Sequence, residues 1–288
     1  MATNLATRIK NLYPTMSKAH KKIANVIMND HPKISEMTAS RLAAYLNISN
    51  STIIRFAYRL GYEGYHELQH EMRELAVTIM TYNQRIDHMN KLLGDKKDVV
   101  NCIMEADIDR IRYTMDKIDR LDFDRTVTAI TKARRIYVAG ARNSEYIARL
   151  LHYNLSLIFD NVFFVNPNSN AEIYEQLISI NEADMLIAFS FPRYSVNMIS
   201  AVKYASLMKA QVISITDSQN SPIAEYSSHI LIAQSDMASF ADSLVAPLSL
   251  VNLIVSELTR RLEGTLKERF DKLESIWKEN NVYADTVQ

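Results

Sequence analysis

Apolar positions along this chain follow two rhythms. Through the first 77 residues they recur every three or four positions, the period of helices with one buried face. Leu5, Ile9 and Leu12 start one stripe; Ile23, Val26 and Ile27 form a second, whose polar side carries Lys18, Lys21 and Lys22. His31-Pro32 reads as a helix breaker, because proline lacks an amide donor and restrains the residue before it. Further stripes follow at Leu42, Ala43 and Leu46, at Ile53, Ile54, Ala57 and Leu60, and at Leu68, Met72 and Leu75. Helical spacing persists through a polar connection (Ile86, Met89, Leu92, Leu93), around Gly94-Asp95-Lys96-Lys97-Asp98, and again at Ile108, Ile111, Met115 and Ile118. From residue 135 the rhythm changes. Short apolar blocks at 135–139, 161–165, 185–189, 211–215 and 229–232 alternate with helical stretches at 144–159, 170–180 and 195–208. That alternation predicts parallel strands covered on both faces. A long apolar helix at 240–263 and an amphipathic tail (Leu266, Phe270, Leu273, Trp277) follow. The expected architecture is an all-α domain at 1–77, a largely helical linker at 78–106, and an α/β domain at 107–288 with a doubly wound five-stranded parallel sheet.

Residues 38–62 sharpen the first half. Leu42, Ala43 and Leu46 face Ile53, Ile54 and Ala57 across the turn Asn47-Ile48-Ser49. Ala43 is small where two helices cross closely, Ile48 plugs the angle between them, Ser49 suits an N-cap, and Gly61 suits the left-handed residue after the helix. This is the pattern of a helix-turn-helix. Asn50, Ser51, Thr52 and Arg55 sit at the start of the second helix, where none is needed for the core. A recognition helix presents such residues to base edges: Arg to guanine, Asn to adenine, Ser or Thr to bases or phosphates. Lys21, Lys22 and Arg59 are candidate phosphate contacts. An ordinary helical hairpin with a solvated polar face is the plainer reading of the same residues.

Composition narrows the choice. The chain has 288 residues and no net charge, yet residues 1–77 hold ten Lys or Arg against six Asp or Glu. The basic surplus therefore lies in the half with the candidate DNA reader, and its modest size suits a dimer. A single cysteine, Cys102, leaves no internal disulfide framework and no cysteine-based zinc site. The lack of a membrane-length apolar run or a signal-peptide pattern predicts a cytoplasmic protein.

In the second half, two loops follow apolar strands and open helices. Gly140-Ala141-Arg142-Asn143-Ser144 follows the first strand, and Ser190-Phe191-Pro192-Arg193-Tyr194-Ser195 the third. Helix N-termini, hydroxyls and a guanidinium in each loop suit an anion. In strand order 2-1-3-4-5 these loops flank the switch point where open sheets bind ligands. Arg142, Asn143, Ser144, Ser190, Arg193 and Ser195 are the candidate effector residues, and Thr216-Asp217-Ser218 a further contact. A turn glycine at 140 and helix-capping serines at 144 and 195 are the plainer alternative. Neither a Gly-x-Gly-x-x-Gly fingerprint nor a P-loop is present, so no nucleotide cofactor is expected.

These residues resemble a known family. Residues 37–46, residues 49–60 and Gly61-Tyr62 with Tyr65 and Leu68 are similar to the helix-turn-helix domain of RpiR-type bacterial regulators. Residues 140–144, residues 190–195 and Ile215-Thr216-Asp217-Ser218 with Ser221-Pro222 resemble their SIS (sugar isomerase) domain. The Ser-Phe-Pro-Arg-Tyr-Ser run is specific to a subgroup. The resemblance covers most of the chain. It implies a homodimer or homotetramer that binds operator DNA, senses a sugar phosphate or related anion, and controls genes of sugar or amino-sugar catabolism. Arg142 stands where SIS domains carry a second glycine, and Pro192-Arg193 where the second loop carries one.

Two other functions compete. A sugar-phosphate isomerase with a DNA-binding appendage needs a base at the substrate carbon. Glu145, Glu172 and Glu257 are the available carboxylates, and His152 and His229 the available imidazoles, each of which has a structural explanation as well. An interaction scaffold would use the apolar helix near Leu244 to Leu258 as a subunit interface.

Overall fold

The structure, a computed structural model, describes residues 5–35, 37–94, 98–166 and 169–283. The side chains of His31, Pro32, Leu75 and Leu92, and all of Asp95-Lys96-Lys97, lie outside the described residues.

Five helices make the N-terminal domain: α1 (Leu5–Leu12), α2 (Lys18–Ile34), α3 (Ala39–Leu46), α4 (Asn50–Arg59) and α5 (Tyr65–Ile79). Their apolar stripes meet in one core built on Leu5, Ile9, Ile23, Ile27, Leu42, Leu46, Ile53, Phe56, Leu68 and Met72. Phe56 is fully buried while Ile54 is only partly so, so the stripe of α4 is rotated towards Phe56 from the one expected. The expected break at His31-Pro32 does not occur: α2 continues to Ile34. A proline inside a helix costs about 3 kcal/mol. Ile34, in the same last turn, is completely buried, and burying such a side chain returns about 1.5–3 kcal/mol.

Caps fix the angle between α3 and α4. Thr38 accepts a hydrogen bond from the Arg41 amide, and Ser49 from the Thr52 amide. Asn47 ends α3 at φ 50°, and the Lys22 ammonium bonds the Leu46 carbonyl at 2.6 Å. Gly61, at φ 87°, ends α4, with its amide on the Tyr58 carbonyl and that of Tyr62 on the Ala57 carbonyl, a Schellman closure. Arg8 donates to the Leu60 carbonyl at 3.0 Å.

Three helices lead out of this domain: α6 (Tyr82–Leu93), α7 (Val99–Lys117) and α8 (Arg120–Lys132). The α/β domain follows as β1 (Ile136–Gly140), α9 (Asn143–Ile158), β2 (Val162–Val165), α10 (Asn170–Leu177), β3 (Met185–Phe189), α11 (Val196–Leu207), β4 (Gln211–Thr216), β5 (His229–Ile232), α12 (Val245–Arg261) and α13 (Glu263–Glu279). The sheet is parallel in the order β2-β1-β3-β4-β5. Alternation along the strands divides its side chains between two cores. Ile136, Val138, Ile187 and Ile213 pack with Leu151 of α9 and Ile254 of α12. Tyr137, Ala139, Leu186 and Val212 pack with Ile173 of α10 and Val202 of α11. The helix expected from residue 240 begins at Val245. Proline is accommodated without cost in a first helical turn, and Pro247 lies in that turn here. The segment before it is a loop closed by a bridge between Met237 and Asp242.

Candidate functional site

The first candidate surface is the start of α4. The Ser49 hydroxyl lies 2.9 Å from that of Ser51 and 2.7 Å from that of Thr52, and also caps the Thr52 amide. Asn50, Ser51 and Arg55 are exposed beside this cluster, and Thr52 is half-buried. The basic candidates divide. Lys21 lies over the Tyr13 ring, 5.3 Å from its centroid. Lys22 is engaged at the end of α3, and Arg59 donates to the carbonyl and hydroxyl of Thr15 at 2.8 and 2.9 Å. His20 packs edge-on against Phe56 with its imidazole pKa lowered, first by burial and then by Arg59 and Arg55. It therefore favours the neutral form behind the reading helix.

The second candidate is a cavity of about 670 Å³ at the carboxyl ends of β1 and β3. Arg142, Asn143, Ser144, Ser190, Arg193 and Ser195 all line it. The strand order makes this possible: β1 and β3 are neighbours, and their loops leave towards opposite faces of the sheet. Gly140 is required for close approach rather than for a turn. A Cβ there would stand 2.5 Å from the Ser144 carbonyl oxygen and 2.8 Å from the Ala148 Cβ, so glycine lets α9 begin directly above the strand.

Neither serine acts as the cap that the plainer reading assigned. Arg142 occupies the N-cap position of α9 without a side-chain bond, placing Ser144 inside the helix. Ser195 occupies the N-cap position of α11, but its hydroxyl makes no capping bond. Thr216-Asp217-Ser218 does not line the cavity. Asp217 instead accepts from the Tyr194 hydroxyl at 2.9 Å and braces the second loop from behind. Burial raises its carboxyl pKa, against the opposing bond from Tyr194.

Sequence reasoning missed two walls. Tyr82 and Arg85 of α6, and Phe240 and Asp242 of the loop before α12, also line the cavity. Arg85 is 2% exposed and bonds Asp242 at 2.6 Å and the Phe240 carbonyl at 3.3 Å. Burial raises the Asp242 pKa, and Arg85 opposes that shift. The Thr81–Gln84 capping box marks where α6 starts, but nothing local says what its first turn will touch.

The carboxylates considered for catalysis scatter. Glu145 lines the cavity and is ion-paired with Arg149 at 2.8 Å. Glu257 is outside the cavity lining and clamped by Arg260 and Arg261, which hold its pKa at about 2. Glu172 is exposed on α10. His229 pairs with Asp122 at 2.6 Å, tying β5 to α8, and His152 packs edge-on against Phe164. Among the described residues, no three His, Cys, Asp or Glu side chains gather as metal ligands, and no helix is long and apolar enough to cross a membrane.

A helix-turn-helix domain of the rpiR family matches residues 3–76, and a SIS domain matches residues 129–257. The chain belongs to the RpiR family of regulators. The chain is 24% identical to an HTH-type transcriptional regulator of Haemophilus influenzae, over 97% of this chain and 98% of that one. It is 19% identical to the HTH-type transcriptional regulator HexR of Escherichia coli, covering 96% of this chain and 95% of that one. Among solved structures, Vibrio vulnificus NanR complexed with ManNAc-6P superposes over 98% of this chain and all of its own, with a TM-score of 0.61 and 22% identity. The sugar isomerase domain of an RpiR transcription factor from Sphaerobacter thermophilus covers 62% of this chain and 99% of its own, at a TM-score of 0.59 and 21% identity.

Proposed function

We infer that this RpiR-family protein is a transcriptional regulator whose operator binding is modulated by a phosphorylated sugar or related anion. The convergence of two arginine-bearing loops in one cavity carries the reading. Arg142 and Arg193 bring two cations to a site already furnished with Asn143 and the hydroxyls of Ser144, Ser190 and Ser195. Guanidiniums and helix N-termini are the donors that hold phosphate. The similarity to NanR, a protein solved with ManNAc-6P, supports a phosphosugar.

On the DNA side, Asn50, Ser51, Thr52 and Arg55 read bases, Ser49 holds the helix start, and Lys21 contacts phosphate. Lys22 and Arg59 join it only by leaving Leu46 and Thr15. One reading helix per chain calls for a homodimer or homotetramer, since half-sites recur about one DNA turn apart.

Calorimetry with a panel of sugar phosphates tests the sensor half. One compound is expected to bind the wild-type chain and to bind Arg193→Ala at least tenfold more weakly. Equal affinity for both proteins would remove Arg193 from the site. Glu145, the one catalytic candidate in the cavity, supports an isomerase as the second reading; conversion of any bound sugar phosphate by the purified protein would establish it.

A further inference from the structure

The first of the three helices that lead out of the N-terminal domain, α6, reaches the cavity. The role inferred for it rests on the reading of the cavity as an effector site. The Thr81–Gln84 box fixes the first turn of α6, and that turn meets the cavity through two residues. Tyr82 gathers both candidate anion-binding arginines. Arg142 donates to its hydroxyl at 3.3 Å, and the Arg193 guanidinium lies 5.4 Å from its ring centroid. Its ring also meets Phe240 edge-on at 6.0 Å. Three residues later, Arg85 is almost completely buried against Asp242, and its Nε has no hydrogen-bond partner among the described residues. The charged groups acting on Asp242 are Arg85, Arg193 from the second loop, and Asp236 next to the Met237–Asp242 bridge.

This geometry makes the contacts of α6 compete with the effector. An anion that engages Arg142 and Arg193 draws them from Tyr82, and it offers the unpartnered Nε of Arg85 an acceptor beyond Asp242 and the Phe240 carbonyl. Only Met80 and Thr81 separate α6 from α5, and α5 packs on α2 and α4. We propose that Arg85 is an effector-binding residue, that Tyr82 holds Arg142 and Arg193 until the effector takes them, and that through these two residues α6 transmits occupancy of the cavity to the DNA-reading helix. A ligand shifts such an equilibrium only through contacts that differ between the two states, and these are contacts that differ.

Hydrogen exchange of backbone amides in the full chain tests this, with N-acetylmannosamine 6-phosphate, glucose 6-phosphate and inorganic phosphate as probes. Without a probe, Asp242→Asn is expected to exchange at least tenfold faster than wild type across 82–93 while β1 and β3 stay protected. Exchange at the wild-type rate across 82–93 would overturn the proposal. A probe that protects 140–144 and 190–195 in the wild type is expected to alter exchange across 82–93 as well; protection of the loops alone would also overturn it. Tyr82→Phe keeps the ring and removes only the hydroxyl that accepts from Arg142. It should bind the same probe several-fold more tightly, and unchanged affinity would count against Tyr82. If no probe protects either loop, the effector reading itself fails, while the Asp242→Asn comparison still decides whether α6 is held as described.

Discussion

Arg142 holds φ 56° and ψ −124° at the start of α9, a conformation that suits glycine. Holding any other residue in such a region costs about 1–3 kcal/mol. The strain sits where the guanidinium reaches the cavity, so on the proposed function fold and ligand make opposite demands on one position. Arg142→Gly is therefore expected to be more thermally stable than Arg142→Ala, while both bind sugar phosphate more weakly than wild type. Equal melting temperatures for the two variants would contradict the strain argument. The departure from the family glycine was legible in the sequence; its backbone angle was not, because a side chain at that position fixes no φ by itself. Arg55 is the corresponding candidate on the DNA side. Arg55→Ala should relax base preference and cost about 1–3 kcal/mol of operator affinity, measured by anisotropy across operator variants; unchanged affinity would remove Arg55 from the reading role. Residues such as Ser49 and Gly61 could be read from sequence because capping depends on the few residues beside them. Tyr82 and Arg85 could not, because their partners lie about 60 and 157 positions away.

At the scale of elements, the strands and most helices follow from periodicity, since burial on both faces of a parallel sheet leaves an uninterrupted apolar signature. The errors fall at prolines. α2 runs on past Pro32, where complete burial of Ile34 offsets much of the local cost, and α12 starts only at Val245, with Pro247 in its first turn. The far end of α12 is fastened by charge. Glu257 accepts from Arg260 and Arg261, and Arg261 also bonds Asp124 and Thr128 of α8. Hydrogen bonds from Arg260 and then Arg261 lower the Glu257 pKa from 4.5 to about 2. A carboxyl more acidic in the folded state than in the unfolded one contributes stability that is complete above the unfolded value and is lost as pH falls through the folded one. Stability should thus decline from about pH 4.5 towards about pH 2, and Glu257→Gln should flatten that slope in acid denaturation. An identical slope in the variant would show that other carboxylates dominate acid unfolding.

For the whole molecule, the balance of charge has a functional meaning. The surplus of positive charge in residues 1–77 is offset by an acidic surplus in the remainder, so a chain with no net charge still presents a basic reading domain. The first turn of α6, the first of three helices between the domains, lines the candidate effector cavity; on the proposed function this places DNA reading and anion sensing within one mechanical path. Coupling of this kind is reciprocal: an effector that changes operator affinity has its own affinity changed by operator in the same ratio. The most direct measurement is a fluorescence-anisotropy titration of the full chain against a labelled fragment from upstream of its own gene, at fixed salt, with and without each sugar phosphate. Sequence-preferring binding that one phosphorylated sugar alters at least fivefold, and that Arg142→Ala no longer lets it alter, is the expected result. Binding with no sequence preference, or operator affinity that the bound sugar phosphate leaves unchanged, would contradict it.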